Sequence, residues 1–269
     1  MLEKLGAGDD VLHQMPFLKD EVPYNLLHLI TGMEQAEAWK TPDGRMLFAA
    51  TPGHNGWLWL SEDLTEERRE ALLLELVEHC KDMDLSGICG ASRAAEPFAK
   101  LYCGSKRLKH KAYMNMQAYV CPKVLKPVKM KGELLKADPR HREVAAEFLA
   151  GFSESAYGSA VVPASQLATA EGMIMKGGLY FWVVDELPAA MANIAHRSPR
   201  HGRINAVFTP AVMRNNGYAS ALVAQLSQLL QEENLEPMLY ADKSDAASNK
   251  VYKKLGFIES GVVAEIRFS

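Results

Sequence analysis

The feature that most constrains the fold of this chain is a strand-like run that ends at a proline and leads, through a short polar loop, into an amphipathic helix. Residues 207–220 read VFTPAVMRNNGYAS, with the proline at Pro210 and the loop marked by Arg214 and Gly217. The first turn of a helix carries backbone N–H groups without intrahelical partners, and the helix dipole makes that end positive. Gly217 lets the backbone approach an anion closely, and Arg214 adds a positive charge. This segment therefore predicts a pyrophosphate site.

A second motif lies downstream and predicts a strand followed by a short helix. Residues 238–241 form an apolar run after Pro237, and residues 248–257 read SNKVYKKLGF. Val251 and Leu255 are four residues apart, so they share one buried face of a helix. Gly256 then ends that helix, because glycine adopts the left-handed conformation at low cost.

Together, in this order, the two motifs resemble the GCN5-related N-acetyltransferase (GNAT) superfamily. The acyl-CoA loop of that superfamily has the pattern Arg/Gln-x-x-Gly-x-Gly/Ala, which Arg214, Gly217 and Ala219 match. Its closing helix ends in Tyr-x-x-Leu-Gly-Phe, which the segment from Tyr252 to Phe257 matches. The resemblance covers roughly residues 130–269. It implies the GNAT fold, which combines α-helices with a mixed β-sheet (α/β, in the sense of α+β). It also implies transfer of an acyl group from acyl-CoA to an amine.

The resemblance also implies which residues bind the acyl donor. Family members pair the pantetheine arm with the exposed edge of the strand before the loop, and Phe208 and Thr209 match those positions. Asn249 matches a position that often hydrogen-bonds the cofactor arm, although asparagine is equally favoured as a helix cap. The full implied set for binding acetyl-CoA is Val207, Phe208, Thr209, Arg214, Asn215, Asn216, Gly217, Tyr218, Ala219, Ser220, Asn249 and Tyr252.

The proton transfers are less well indicated. Tyr252 matches the tyrosine that protonates the leaving thiolate in many relatives, and the alternative is a packing tyrosine whose hydroxyl bonds the backbone. His196 is our leading candidate for the general base. Other candidates, each of which is also explained as a surface or turn residue, are His201, Asp185, Glu186 and Glu154. Many relatives have asparagine where this chain has Asp245, which either weakens a cofactor contact or caps the following helix.

Composition excludes several other classes of function. The formal net charge of −3 provides no general attraction to nucleic acid or to an anionic membrane. The four cysteines form no Cys-x-x-Cys pair, so we expect neither a zinc site nor a redox motif, but small buried thiols. We find no signal-peptide core at the N-terminus and no apolar run long enough to span a bilayer. The expectation is a soluble, cytoplasmic protein without a metal.

A chain of 269 residues is long for one small α/β domain, and we expect two. Residues 1–122 form a smaller α/β domain, residues 123–130 a lysine- and proline-rich linker, and residues 131–269 the acetyltransferase domain. One interpretation of the first domain is a degenerate, tandem copy of the same fold. The counterpart of its pyrophosphate loop carries Glu62, Asp63, Glu66 and Glu67 and no glycine, so we expect no acyl-CoA there. An acidic wall of this kind would suit a cationic acceptor.

Apolar periodicity and turn residues predict the individual elements. In the first half, helices are expected at residues 23–30, 65–82 and 91–103, and strands at 46–50, 57–60, 86–90 and 112–120. In the second half, strands are expected at 132–135, 180–184, 189–195, 204–209, 238–241 and 264–268. Helices are expected at 139–151, after the loop that ends at Gly217, and at 246–255. A polar connection is expected at 196–203.

The sequence thus predicts an acetyl-CoA-dependent N-acetyltransferase that acts on a primary amine, either a small molecule or a peptide, by direct transfer in a ternary complex. One alternative is transfer of a larger acyl group to an amino acid. Aminoacyl transfer is disfavoured, because the loop from Arg214 to Ala219 is intact. An alternative of another class is a non-catalytic acyl-CoA sensor. The oligomeric state, including a homodimer, is left open by the sequence.

Overall fold

The computed structural model of the protein describes residues 1–127 and 130–269. The chain divides into two compact units. Unit 1 comprises Met1–Ala118, Ala241–Ser244 and Ser260–Ser269, and unit 2 comprises Tyr119–Tyr240 and Asp245–Glu259. Unit 1 thus includes the last residues of the chain, Ser260–Ser269. The expected division, with its single linker at residues 123–130, places these residues in the second domain. Two residues of the expected linker, Val128 and Lys129, lie outside the described residues.

Unit 1 is a sheet with helices packed on it. Its strand order is β1-β2-β3-β4-β5-β12-β6, in which β4 and β5 are parallel and β5 pairs antiparallel with β12. Its strands are β1 (Glu3–Lys4), β2 (Glu37–Lys40), β3 (Met46–Ala50), β4 (Asn55–Leu60), β5 (Gly87–Gly90) and most of β6 (His110–Val120) and β12 (Ile258–Phe268). Its helices are α1 (Leu26–Ile30), α2 (Glu66–His79) and α3 (Ser92–Lys106), with 3-10 turns at Asp10–His13 and Phe17–Asp20.

The acidic segment of unit 1, which contains Glu62, Glu66 and Glu67, interacts with the neighbouring helices α2 and α3. Thr65 caps α2, since its hydroxyl accepts a hydrogen bond from the Arg68 N–H at 3.3 Å. Glu66 and Glu67 lie in the first turn of α2, where they favour the helix dipole. Glu62 accepts from the Arg93 guanidinium at 3.0 Å. This helix start is therefore capped and acidic, and the absence of acyl-CoA binding there stays a prediction.

Unit 2 is a mixed sheet of strand order β11-β10-β9-β8-β7. From β7 to β10 each strand is antiparallel to its neighbour, whereas β10 and β11 are parallel. The strands are β7 (Glu133–Lys136), β8 (Leu179–Val184), β9 (Leu187–Arg197), β10 (His201–Phe208) and β11 (Glu236–Asp242). The helices are α4 (Arg142–Tyr157), α5 (Leu167–Met175), α6 (Tyr218–Glu232) and α7 (Ala246–Lys254), with 3-10 turns at Pro139–His141, Pro163–Gln166 and Ala211–Met213.

Strand β10 is irregular where it approaches the loop. Its pairing with β9 passes from Asn205↔Asn193 to Phe208↔Met191, so three steps on β10 match two steps on β9. The extra residue is a β-bulge, and Ala206 within it has a φ of 49°. On its other side, β10 pairs with β11 from His201 to Arg203, and both strands then continue past the last paired residues. The end of β10 is therefore bent away from regular pairing.

Several sequence-based boundaries are corrected by the structure. The expected connection at 196–203 is mostly strand, because Ser198 and His201 exchange hydrogen bonds and close a short turn between β9 and β10. Helix α4 continues past Gly151 and ends instead at Gly158, whose φ is 64°. Residue 151 is a glycine for a different reason, because a Cβ at this position would lie 2.5 Å from the Phe208 ring.

The remaining differences are smaller. Helix α1 begins at Leu26 rather than at residue 23, and β12 begins at Ile258 rather than at residue 264. Strands β1 and β2 and helix α5 were not expected, because their short or alanine- and methionine-rich sequences have no clear period. The expected strand at 112–120 exists, but Gln117, Ala118, Tyr119 and Val120 are all buried, so its second half is covered on both faces.

The cysteines and helices bear on two further expectations. All four cysteines are free and buried, and burial raises the pKa of the Cys121 thiol to about 11, so this thiol is an inert core group. Among the described helices, none combines the length and the apolar character needed to cross a membrane.

Candidate functional site

The loop after β10 is held in place by its own polar groups. The Arg214 guanidinium donates to the Thr209 carbonyl at 3.0 Å and to the Ser155 hydroxyl at 3.2 Å. The Asn216 side-chain amide donates to the carbonyls of Met213 and Arg214 at 3.1 and 3.2 Å. These bonds tie the loop to the end of β10 and to α4, so the backbone that leads into α6 is preorganised.

No side chain caps the start of helix α6. Gly217 is its N-cap residue and adopts the left-handed conformation, with φ 79°, and no side chain caps the helix. The first turn contains no acidic residue. Tyr218, Ala219 and Ser220 are only half-buried. The N–H groups of this first turn are therefore available to an external acceptor, in contrast to the capped and acidic start of α2.

Two positions of the loop, Asn215 and Gly217, have backbone conformations that suit a close approach of an anion to the main chain. Asn215 has a φ of 65°, a conformation that asparagine tolerates better than most residues. Gly217 has a φ of 79°, which favours glycine, and a Cβ there would lie 2.9 Å from the terminal methyl of the flexible Met130 side chain.

The end of β10 carries an orphaned polar atom. The Thr209 hydroxyl oxygen is buried and has no hydrogen-bond partner among the described residues. Val207, Phe208 and Thr209 are half-buried rather than enclosed. A buried hydroxyl without a partner is uncommon in proteins and marks a position where a ligand group would compensate it.

The closing helix α7 begins at a clear cap. The Asp245 carboxylate accepts from the N–H groups of Ala247 and Ser248, each at 3.1 Å. The Asn249 side chain donates to the Asp245 carbonyl at 2.7 Å and accepts from the Tyr119 hydroxyl at 2.8 Å. Asp245 is thus the helix cap, and Asn249 links α7 to Tyr119, which leaves it limited capacity for a cofactor contact.

We expect Asp245→Ala to lower the free energy of unfolding by about 1 kcal/mol, because the cap acceptor is lost. Asp245→Asn should change it by less than about 0.5 kcal/mol, since asparagine caps equally well. Denaturation in urea measures both variants. An equal loss in the two variants would show that the charge, and not the cap, is what the helix needs.

Tyr252 is buried in unit 2 with its hydroxyl uncommitted. The side chain is 8% exposed and packs at an edge against Phe257 and at a tilt against Tyr119. None of the hydrogen bonds among the described residues uses its hydroxyl. Burial, followed by the Asp245 charge and by Tyr119, raises the pKa of Tyr252 far above its ordinary value. The phenol is therefore protonated throughout the neutral and mildly alkaline range, and the same shift makes it a weaker acid.

A cavity of about 440 Å³ lies between α4 and the end of β10. We call it the α4 cavity. It is lined by Glu147, Phe148, Gly151, Glu154, Ser155, Phe208, Pro210, Ala211 and Arg214. Of the five candidates for a general base, Glu154 lines this cavity. The other α4 lining residues, including Glu147, were missed by sequence reasoning, because an exposed glutamate on an amphipathic helix carries no distinguishing signal.

The other base candidates have different surroundings. The Arg203 guanidinium donates to His196 Nδ1 at 3.2 Å, so that nitrogen is already used as an acceptor. His196 pairs with Arg203 near the start of β10, and Phe208 lies five residues further along, roughly 16 Å away. His201 is buried at the first residue of β10. Asp185 and Glu186 form the turn between β8 and β9, both with positive φ.

The comparisons with known proteins agree with this architecture. Residues 181–266 match the sequence profile of a family described as FR47-like protein. A GNAT-family acetyltransferase from Colwellia psychrerythraea is 12% identical, with 100% of both chains covered and a TM-score of 0.59. A GNAT from Sphaerobacter thermophilus is 12% identical, covers 100% of this chain and 95% of its own, and has a TM-score of 0.60. No protein with a curated description matches the sequence.

A third structure, a GNAT from Kribbella flavida, is 15% identical, with 94% of this chain and 96% of its own covered and a TM-score of 0.59. The similarities extend over the whole chain and, at these identities, they concern the fold. The expected resemblance to the GNAT superfamily is confirmed, as is the mixed α/β fold. In the described residues, no group of three or more histidine, cysteine or acidic side chains is placed to hold a metal ion.

Proposed function

We propose that the protein is an acyl-CoA-dependent N-acyltransferase that uses acetyl-CoA and transfers its acetyl group directly to a primary amine. The observation that carries this proposal is the start of α6, which has a left-handed glycine, no side-chain cap and no acidic residue in its first turn. A helix start with these properties binds anions. The GNAT fold around it supports acyl transfer in general, and acetyl-CoA is the donor that the sequence resemblance implies.

The donor would be held by backbone groups more than by side chains. In this proposal the pyrophosphate accepts hydrogen bonds from the first N–H groups of α6, with Arg214 supplying charge. The Arg214 guanidinium donates hydrogen bonds to the carbonyl of Thr209 and the hydroxyl of Ser155, and these bonds hold it at the loop. The pantetheine arm would lie along the end of β10, where the bulge at Ala206 and the end of pairing with β11 leave an irregular edge.

Acetyl-CoA, when bound, supplies the acyl group and a thiolate leaving group. Tyr252 is the residue we assign to protonating that thiolate, since its phenol is protonated and its hydroxyl is uncommitted. His196 is no longer our first choice for the base, because its Nδ1 already accepts from Arg203. Glu154 replaces it as a candidate, since it lines the α4 cavity, and the base is otherwise unassigned.

Calorimetric titration with acetyl-CoA tests the donor, and release of free CoA thiol in the presence of primary amines tests the reaction. We expect binding in the micromolar range, one donor for each chain, and thiol release that requires the amine. A folded protein that does not bind acetyl-CoA would overturn the proposal. Binding without thiol release from any amine would instead favour the acyl-CoA sensor.

A further inference from the structure

The α4 cavity has two walls with different chemistry. One wall is α4, which contributes Glu147, Gly151 and Glu154, and the other is the end of β10 with the following loop. Thr209 lies between the lining residues Phe208 and Pro210 in the chain but does not line the cavity itself, and its hydroxyl is buried without a partner in the described structure. A cavity lined by the proposed donor loop is suited to a ligand.

The α4 wall presents two carboxylates that the protein does not neutralise. Glu147 and Glu154 are seven residues apart, so they lie on one side of the helix, separated by about 10 Å along its axis. Neither forms an ion pair with a described residue. Other glutamates near α4 behave differently, since Glu143 and Glu171 both lie within ion-pair distance of Arg142.

The space between the two carboxylates is aromatic. The Phe208 ring approaches α4 at Gly151. Glycine leaves room for the ring, because a Cβ at residue 151 would lie only 2.5 Å from it. Phe148 packs edge-on against Phe208, with ring centroids 5.7 Å apart. Aromatic rings that lie near carboxylates favour organic cations, because the ring faces are negative and the carboxylates supply the charge.

Arg214 is the one cation among the lining residues. In the proposed function its charge is matched by the pyrophosphate of the donor. With the donor bound, the two unpaired glutamates therefore dominate the field in the cavity. That field attracts a cation and opposes a carboxylate.

We propose that the α4 cavity binds the acceptor and selects amines that carry a second basic nitrogen, such as a diamine, over amino acids with a free carboxylate. The second nitrogen, which is cationic at neutral pH, is bound by Glu147 against the Phe208 ring, and Glu154 adds to the negative field. The reacting nitrogen is left to lose its proton. This inference rests on the proposed function, which it extends by giving the class of acceptor.

The same charges predict an order of binding. Without the donor, the Arg214 cation faces the cavity and offsets the two carboxylates. With the donor bound, this offset is removed. The affinity for a cationic acceptor therefore increases when the donor is bound, which is positive coupling between the two sites.

Steady-state kinetics with three acceptors test the selection: 1,4-diaminobutane, butylamine and glycine, at saturating acetyl-CoA. We expect the diamine to exceed butylamine by about tenfold in kcat/KM and glycine by more, the order of effect that one or two partly exposed ion pairs provide. Glu147→Gln should raise the KM for the diamine by about threefold to tenfold, with little change for butylamine. Glu143→Gln, on the same helix but outside the cavity, should change neither.

Three results would overturn the inference: equal use of diamine and butylamine, preference for glycine, or a fall in kcat for all amines in Glu147→Gln without a change in KM. A measurement without donor keeps this test separate from that of the proposed function. Arg214→Gln should bind 1,4-diaminobutane more tightly than the unchanged protein in calorimetry, and adding Glu147→Gln should reverse the gain. If acetyl-CoA does not bind but this gain is found, the cavity selects cations and only the donor assignment is wrong.

Discussion

Arg214→Glu and Gly217→Glu are each expected to weaken acetyl-CoA binding by at least about 100-fold, the effect of leaving a charge unpaired against an anion. Arg214→Glu replaces a cation by an anion beside the first turn of α6. Gly217→Glu places a carboxylate at the N-cap, and it also requires a residue with a Cβ to adopt a φ of 79° next to Met130. The calorimetric titration that tests the donor in the unchanged protein measures both losses.

A matched control is available in unit 1. Gly104 lies in α3, and no atom lies within 4 Å of the position that its Cβ would occupy. Gly104→Glu therefore adds the same side chain at an open helical position and should leave acetyl-CoA binding unchanged. Circular dichroism and thermal melting show whether the Gly217 variant is folded. A folded Gly217→Glu protein that binds acetyl-CoA normally would exclude the start of α6 as the donor site.

Tyr252→Phe is expected to lower kcat by about 100-fold or more while leaving the affinity for acetyl-CoA nearly unchanged, because general acid catalysis contributes on that scale. The phenylalanine ring preserves the packing against Tyr119 and Phe257 and removes only the hydroxyl. Single-turnover measurements with a saturating amine separate the acyl-transfer step from product release. An unchanged single-turnover rate would show that Tyr252 is a packing residue.

Tyr113→Phe provides the corresponding control for removal of a phenol. Tyr113 lies in β6 within unit 1, and its ring carries the Arg267 guanidinium at 3.2 Å, a contact that phenylalanine retains. This variant should keep full activity. A non-catalytic sensor differs from the enzyme in the same experiment, since its response to acetyl-CoA should not depend on the Tyr252 hydroxyl.

Much of the structure of the proposed donor site could be predicted from the sequence because it is local. Residues 207–220 are contiguous, and a strand, a loop and a helix start follow directly from Pro210, Gly217 and the apolar face of α6. Asp245 was correctly considered as a helix cap, and Gly256, with a φ of 95°, follows the end of α7 as expected. In each case the residue acts on the backbone within a few positions of itself.

The acceptor side and the base could not be predicted in this way. His196 follows a predicted strand and was therefore the first candidate, but which atom meets its ring depends on the register between β9 and β10. Arg203 lies opposite it in that register and occupies Nδ1. In the same way, Gly151 was interpreted as the end of a helix, although it is the point where Phe208 approaches α4.

The sequence by itself determined the class of fold, the loop from Arg214 to Gly217 and the closing helix with Tyr252, because periodicity, capping and glycine conformation act over a few residues. Only the tertiary structure decided that α4 and the end of β10 line an open cavity, that Glu147 and Glu154 line it without an ion-pair partner in the described chain, and that the closing residues belong to unit 1. These features depend on contacts between residues far apart in the chain, and side-chain chemistry alone carries no record of which distant residues meet.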